Sequence, residues 1–342
     1  MGKFNIQTLR HTHLKKKGPI HKVDHRGIHR ARPGHTFIIS DSAQIEPRCL
    51  NYLSGNWKFL DACAHKSVYQ AAAEFEGVWT PGQGELKKMN PVLYALKKAS
   101  TLALGYNAGF IKFVEMTPGY LKPPLTVYDV IGCECTVAEW EDFIGYTKYI
   151  DKRNHTNELR RFLASREDDR ERKLYCRSYH TVKQWRLRNP HAVKQWNLMQ
   201  SLMTEAIANK EDMLELILPS GRPLRYYKPR LVKVDGDMKM FAYRTMHPKR
   251  SHRDLRLTYG GLITENCTQA FARDVFCWQY VQICEAGISV LWTMHDELIA
   301  EVPVSKADVA YEFIKKTMQT SPPWAARLPV NCDIKIVERY EK

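Results

Sequence analysis

The sequence predicts an α+β protein. Residues 288–303 alternate apolar and polar side chains on both sides of a short polar segment, a pattern typical of a β-hairpin. Residues 36–40 have the composition of a buried strand, and apolar residues then recur at helical spacing over 45–53. Near the end, a helical periodicity at 305–318 is followed by an alternating segment at 328–336, which predicts a final strand. The chain is therefore predicted to contain both strands and helices.

The charge of the chain is its most informative bulk property. The 342 residues are 44% hydrophobic and carry a formal net charge of +15. This length allows one or two domains, and this excess of Lys and Arg indicates a polyanionic partner, with nucleic acid first and an anionic membrane surface second. No apolar run approaches the roughly 18 residues that span a bilayer, and no signal peptide opens the chain. Because the nine cysteines are irregularly spaced, we expect a soluble cytoplasmic protein in a reducing compartment.

Two adjacent carboxylates, Asp296 and Glu297, lie at the tip of the predicted hairpin. Their apolar flanks are expected to be buried, and charges in such a stretch are costly unless a divalent cation or another partner compensates them. The alternative is a solvated turn, in which Asp is common. The pair alone does not decide between the two.

A third carboxylate, Asp41, lies where the first predicted strand meets the following helix. Pro47 falls in the first turn of that helix, where its missing N–H is tolerated. Such a junction can aim a carboxylate outward. Asp41 and Asp296 are then the minimal pair for holding two Mg²⁺ ions about 3.5–4 Å apart, the arrangement used for phosphoryl transfer.

These two motifs resemble those of the family A DNA polymerases, the group of bacterial DNA polymerase I and many phage replicases. Residues 41–48, Asp-Ser-Ala-Gln-Ile-Glu-Pro-Arg, resemble motif A, and residues 294–297, Met-His-Asp-Glu, resemble motif C. The resemblance implies a palm, an antiparallel sheet with packed helices that presents both motifs side by side, plus mostly helical fingers. It also implies DNA-directed DNA polymerase activity, in which Asp41 and Asp296 bind two Mg²⁺ ions, replaceable by Mn²⁺, and Glu297 assists.

Residues 90–109 predict a helix with Asn90 as N-cap and Pro91 as its first residue. One face then carries Lys98 and, eight residues later, Tyr106, about 12 Å along the axis. That distance is similar to the reach from the phosphates of a nucleotide to its base. A core-facing stripe with a snorkelling lysine is the alternative from the residues alone.

The same helix resembles motif B of the family. The resemblance implies that Lys98 grips the triphosphate and that Tyr106 packs beside the templating base pair. Two family residues differ in this chain, since Tyr94 replaces an arginine, although Lys97 is nearby, and Leu102 replaces an aromatic residue of the nucleotide site.

The resemblance also implies roles for further residues. Glu46 is expected beneath the sugar, where it would exclude a 2′-hydroxyl. The long helix for which Thr264 is the predicted N-cap would present Gln269 to the minor groove. The full set of expected contacts to primer–template DNA is Gln7, Arg48, Gln269, Arg273 and His295.

The resemblance covers nearly the whole chain and divides it into three segments. Residues 1–75 are assigned to the N-terminal part of the palm, 76–215 to the fingers and 216–342 to the C-terminal part of the palm. Only about forty residues precede Asp41, so thumb and exonuclease domains are expected to be absent. A second polypeptide is expected to supply the thumb, with the basic residues around 15–32 as its contact region.

Three alternatives stay open at this point. The chain could be a non-catalytic nucleic-acid-binding scaffold derived from a polymerase, or a two-metal nuclease, although a nuclease does not need the Lys98–Tyr106 helix. Zinc could in principle be bound by four residues, although the one-residue gap between the first two is not a usual structural spacing. These residues are Cys133, Cys135, Cys176 and His180.

Overall fold

The computed structural model describes residues 27–154, 156–235, 238–246 and 253–340. The described residues form two compact units: the first unit holds those up to Ile45 and from Ala270 onward, and the second unit holds those from Glu46 to Gln269. Helices occur together with two antiparallel four-stranded sheets. The predicted α+β class is therefore confirmed.

The strands are β1 (His35–Ser42), β2 (Met213–Ile217), β3 (Pro223–Asp235), β4 (Met238–Met246), β5 (Arg253–Thr258), β6 (Val290–Met294), β7 (Glu297–Pro303) and β8 (Cys332–Val337). The helices are α1 (Ile45–Leu53), α2 (Trp57–Ala62), α3 (Val68–Phe75), α4 (Leu86–Met89), α5 (Pro91–Leu104), α6 (Phe110–Met116), α7 (Val127–Ile131), α8 (Val137–Arg153), α9 (Glu158–Ala164), α10 (Asp169–Arg188), α11 (Pro190–Ala208), α12 (Gly260–Glu285) and α13 (Ala307–Met318). Short 3₁₀ turns occur at Thr117–Tyr120, Val304–Lys306 and Pro323–Ala325.

The sheet of the first unit has the order β6-β7-β1-β8, with every neighbouring pair antiparallel. Strands β6 and β7 form the predicted hairpin, which is confirmed. The predicted junction after β1 is also confirmed, because β1 ends at Ser42 and α1 begins at Ile45. The final strand is shorter than predicted: it begins at Cys332, because Leu328 is buried at the end of a turn, where its N–H bonds to the Ala325 carbonyl.

The two faces of this sheet are both buried in its central strands, because strand side chains alternate between faces. On one face, Ile38 and Leu298 pack with Phe276 of α12 and with Ile314 of α13. On the other face, a smaller cluster contains Phe37, Ile39, Ile299 and Tyr340, with Trp292 packed against it. The apolar runs at 37–39 in β1 and 298–300 in β7 follow from this two-sided burial.

The second unit contains the sheet β2-β3-β4-β5 and a large helical core. The core is built mainly from α5, α6, α8, α10 and α11, with members such as Leu104, Phe113, Phe143, Trp185 and Trp196. Within this unit, Lys97 Nζ lies 2.6 Å from Glu76 Oε2, and both side chains are only 7% exposed. Arg188 reaches the same carboxylate oxygen at 3.4 Å.

The start of α12 differs from the prediction. The helix begins at Gly260, and Thr264, one turn later, is a fully buried residue whose hydroxyl donates to the Gly260 carbonyl at 2.8 Å. Two glycines let the first turn of the helix pack closely on other segments of the second unit. A Cβ on Gly260 would lie 2.1 Å from the Trp196 carbonyl oxygen, and one on Gly261 would lie 2.3 Å from the Tyr106 carbonyl oxygen. Only glycine permits so close an approach.

Among the residues described, no helix is both long and apolar enough to cross a lipid bilayer.

Candidate active site

The hairpin tip in the first unit is fastened through its backbone at two points. Arg273 of α12 donates from Nη1 to the His295 carbonyl at 2.7 Å. The Ser42 N–H at the end of β1 donates to the Asp296 carbonyl at 3.0 Å. His295 has a φ of 49°, the left-handed conformation found in tight hairpin loops. The backbone position of Asp296 is therefore fixed by both a neighbouring helix and a neighbouring strand.

Asp41 lies in a row of acidic residues that crosses three strands. It pairs directly with Glu297 of β7 and with Asp333 of β8. Directly opposed residues of neighbouring strands place their side chains on the same face, with Cβ atoms about 5 Å apart. The fold thus brings Asp41 and the Asp296–Glu297 pair to one end of the sheet. Asp333 was missed from sequence because the register of β8 against β1 is not a local property.

Glu297 is a buried carboxylate, only 3% exposed. Tyr340, which is fully buried, donates its phenolic hydroxyl to Glu297 Oε1 at 2.5 Å. The Tyr340 ring also packs edge-on to Trp292 of β6, with ring centroids 5.9 Å apart. A short, charge-assisted hydrogen bond of this kind compensates the burial of the carboxylate, so the first residue of β7 is held inside the unit.

The hydrogen bond between Tyr340 and Glu297 makes a testable contribution to stability. Tyr340→Phe is expected to destabilise the chain by about 1.5–3 kcal/mol, because a buried carboxylate loses a donor. The measurement is urea-induced unfolding. Tyr311→Phe, which removes a hydroxyl from a half-buried tyrosine of the same unit, is the matched control. Equal stability of the two variants would contradict the assignment.

The carboxylates suit Mg²⁺ bound together with a substrate. In the described part of the chain, no group of three or more His, Cys, Asp or Glu side chains is arranged to hold a metal ion by itself. Mg²⁺ commonly uses one or two protein carboxylates and completes its octahedron with substrate phosphates and water. Asp41 and Asp296, both partly exposed, fit that kind of site.

The predicted cap of α5 in the second unit is confirmed. Asn90 Oδ1 accepts a hydrogen bond from the Leu93 N–H at 3.0 Å, and Pro91 is the first helical residue. The helix ends at Leu104, earlier than the predicted end at residue 109. Tyr106 therefore lies in the turn that follows the helix. Asn107 has a positive φ of 66°, which stops the helix here.

Lys98 and Lys97 have different environments on α5. Lys98 is half-buried, and burial lowers its pKa, with smaller contributions from the charges of Lys122 and Lys87. Lys97 is bound to Glu76 inside the unit, so it is not a substitute for the arginine that the family carries at position 94.

Tyr106 and Glu46 belong to one cluster within the second unit. Burial raises the pKa of Tyr106, with Glu46 and Glu265 adding to the shift. Burial is also the largest cause of the raised pKa values of Tyr69 and Tyr120, and the charge of Glu46 raises both values further. Glu46 therefore lies within electrostatic reach of three phenol rings, two of which were not identified from the sequence.

No family model matches the chain. The sequence is 26% identical over 325 residues to the DNA polymerase of Bacillus phage SP02, which covers 90% of this chain and 42% of that polymerase. The chain is similar to part of a DNA polymerase. The relationship predicted from the motifs is thereby confirmed, while the chain spans less than half the length of the relative.

A solved structure shares the fold of this chain. The POL domain of Pol1 from M. smegmatis, solved in complex with DNA primer-template and dNTP, aligns with a TM-score of 0.50. The alignment covers 92% of this chain and 42% of that chain, at 14% sequence identity. At that identity the match shows the fold alone.

Arg48 of this polymerase-like chain is not at the surface. It is 2% exposed, and its guanidinium donates to the carbonyls of Cys63 at 2.6 Å and Lys66 at 3.1 Å. These contacts tie α1 to the segment between α2 and α3. A direct DNA contact by Arg48 stays a prediction. The hydrogen bonds that the structure shows for this side chain link segments within the second unit.

The other predicted DNA contacts have varied positions. Gln269 is exposed on α12 and donates to Glu265 at 3.3 Å, while Arg273 lies with its guanidinium 5.1 Å from the Phe276 ring centroid. His295 is exposed at the hairpin tip, and Leu102 is half-buried on α5. Gln7 lies outside the described residues.

The contacts of the four candidate zinc ligands do not support a zinc site. Cys176 Sγ and His180 Nε2 both bond to the Glu139 carbonyl, at 3.6 and 2.8 Å. Cys135 lies beside Cys176, and Cys133 lies beside Arg170. Cys176 and His180 are thus engaged with a backbone carbonyl, and among the described residues no three of these side chains are placed to hold a metal ion.

Proposed function

We propose that this chain is the catalytic palm-and-fingers part of a DNA-directed DNA polymerase, which adds dNTPs to a primer 3′-hydroxyl during replication. The observation that carries the proposal is the convergence of Asp41 and Asp296 at one end of a sheet, in a chain similar to a phage DNA polymerase. Residues 1–75 and 216–342 are proposed as palm and 76–215 as fingers.

The first unit is proposed to hold the metals. Asp41 and Asp296 would bind two Mg²⁺ ions, or Mn²⁺ in their place. When bound, these ions supply positive charge at the attacking 3′-oxygen and at the leaving pyrophosphate. Glu297, fixed by Tyr340, stabilises the hairpin that carries Asp296. His295 and Arg273, joined at the hairpin tip, are proposed to contact the primer end.

The second unit is proposed to hold the nucleotide. Lys98 contributes positive charge to the triphosphate, and a half-buried lysine binds an anion more strongly than a fully solvated one. Tyr106, with Leu102 one turn before it, is proposed to pack beside the templating pair, and Glu46 to lie beneath the sugar. Gln269 is proposed to read minor-groove acceptors that all base pairs share.

A primer-extension assay with purified chain tests this function. Elongation of a labelled primer in the presence of dNTPs and Mg²⁺ is the expected result. Shortening of the primer would indicate a nuclease instead. Binding of primer–template DNA without any change of length would indicate a non-catalytic scaffold, and either outcome would overturn the proposal.

Sugar selection gives a second test. Glu46→Ala is expected to raise ribonucleotide incorporation relative to deoxyribonucleotide incorporation by about 10–100-fold, because it opens space beneath the 2′ position and removes a discrimination worth roughly 1.4–3 kcal/mol. Single-nucleotide insertion kinetics measure the ratio, and Glu265→Ala, in the same electrostatic cluster, is the control. Unchanged discrimination in Glu46→Ala would assign the task to another residue, such as Tyr106.

The need for a second polypeptide stays a prediction. We expect extension by the chain alone to fall at least about a hundredfold between 50 and 200 mM salt, because affinity for DNA depends on phosphate contacts that release counterions. A co-purifying protein that supplies thumb contacts, bound near residues 15–32, would restore extension. Processive synthesis by the isolated chain at physiological salt would contradict this prediction. The cytoplasmic location expected from the sequence also stays a prediction.

A further inference from the structure

Three lysines of the second unit gather around α5. Lys98 is on α5, Lys87 is on α4, and Lys122 follows the Thr117–Tyr120 turn. Both α4 and this turn pack directly on α5. Their positions are therefore set by the packing of the unit.

Buried contacts anchor the two flanking segments. Leu86 of α4 is fully buried, and its N–H donates to Gln70 Oε1 at 3.0 Å. Thr117 is also fully buried, and its hydroxyl donates to the Phe113 carbonyl at 2.7 Å. The backbones that carry Lys87 and Lys122 are thus held in place beside α5.

The charges of Lys87 and Lys122 both act on Lys98. Burial lowers the pKa of Lys98, and the charges of Lys122 and Lys87 lower it further. Within the described residues, none of the three forms an ion pair with a carboxylate. Glu85 is within reach of the charge of Lys87, but its carboxylate is bound to the adjacent Lys88 at 2.7 Å.

Gathering like charges around a half-buried lysine costs free energy in the free chain. An anion with several charges would recover that cost, whereas a single carboxylate would recover only part of it. The ligand class that these residues favour is therefore a polyphosphate.

Aromatic residues lie near the lysines and narrow the class of ligand that these residues favour. Tyr120 is two residues before Lys122, and Tyr94 is one helical turn before Lys98. Tyr94 packs edge-on to Tyr69, with ring centroids 5.4 Å apart, and Tyr69 and Tyr120 both interact with Glu46. A polyphosphate next to phenol rings and a carboxylate is the pattern expected of a nucleotide, whose sugar and base follow its phosphates.

We propose that Lys87 and Lys122 join Lys98 in binding the triphosphate tail of the incoming nucleotide, an inference that rests on the proposed polymerase function. The two lysines supply positive charge from segments that pack on α5. The same phosphate chemistry occurs in the DNA backbone, so the test has one arm for each source.

The first arm measures binding of inorganic tripolyphosphate to the full chain by calorimetry, at low salt and with EDTA present. EDTA removes any contribution from metal held by Asp41 and Asp296. Lys87→Gln and Lys122→Gln are each expected to weaken binding about 5–10-fold, as for the loss of a charge-assisted contact. Lys88→Gln is the matched control, since Lys88 is adjacent and exposed but paired with Glu85, and it should change affinity less than about twofold.

The second arm measures affinity for a primer–template duplex by fluorescence anisotropy. Lys87→Gln and Lys122→Gln are expected to match Lys88→Gln in this assay. A loss of duplex affinity with unchanged tripolyphosphate affinity would overturn the proposal in favour of a backbone-phosphate site, and three equivalent variants in both arms would overturn it altogether. Because neither arm requires turnover, lysine-dependent tripolyphosphate binding by a chain that fails to extend primers would refute the polymerase function and leave this site standing.

Discussion

Replacing Asp296 or Asp41 with asparagine is expected to reduce primer extension by about three orders of magnitude. Asparagine keeps the size of the side chain but removes the charge that holds a divalent cation, and that charge stabilisation is worth several kcal/mol in the transition state. The backbone contacts of the hairpin tip do not involve these carboxylates, since Ser42 and Arg273 bond to main-chain carbonyls. The variants should therefore fold normally.

Single-turnover extension with saturating DNA and dNTP is the measurement for the aspartate variants, with duplex affinity as a second readout. Duplex affinity should stay nearly unchanged, because it comes mainly from the many Lys and Arg side chains of a chain with a net charge of +15. Asp308→Asn, an exposed change on α13 of the same unit, is the control. Near-normal extension by Asp296→Asn would show that the metal assignment is wrong.

Removing the buried charge of Glu76 is expected to have the largest effect on stability. Glu76→Ala should lower the free energy of unfolding by about 3–5 kcal/mol, because Lys97 would be left charged and buried without its partner. The two side chains are 2.6 Å apart and 7% exposed. Urea-induced unfolding measures the change.

Two further variants test whether the cost comes from the unpaired charge. The double variant Glu76→Gln with Lys97→Met should recover most of the lost stability, because a buried ion pair can often be replaced by neutral side chains at little cost. Glu85→Ala removes the carboxylate of an exposed pair with Lys88 and should change stability little. If Glu76→Ala were as stable as Glu85→Ala, the buried pair would have no structural importance.

The experiments on the two units answer different questions. The aspartate variants address chemistry in the first unit, while Glu46→Ala and the lysine variants address nucleotide recognition in the second. Loss of extension without loss of nucleotide binding would locate a defect at the carboxylates. The reverse pattern would locate it at the nucleotide site.

Local patterns in the sequence predicted the elements that carry the candidate site. The hairpin of β6 and β7 follows from alternation around a polar tip, and the start of α5 follows from an Asn-Pro pair that suits a helix N-terminus. The junction after β1, with Asp41 close to its end, is likewise a local property. Periodicity and capping depend on neighbours within a few residues, so the sequence by itself determined them, together with the relationship to polymerases.

Tertiary packing decided what each side chain contacts. Asp41 is opposite both Glu297 and Asp333 because β7 and β8, distant in sequence, pair with β1 in a register set by the burial of alternating faces. Lys97 and Arg48 look like surface cations in the sequence, but the structure buries both against partners elsewhere in the second unit. The convergence of Lys87 and Lys122 on Lys98 arises in the same way. Such contacts depend on packing between segments that are remote along the chain, so no local pattern encodes them, and only the folded structure determines which charges are paired internally and which stay exposed.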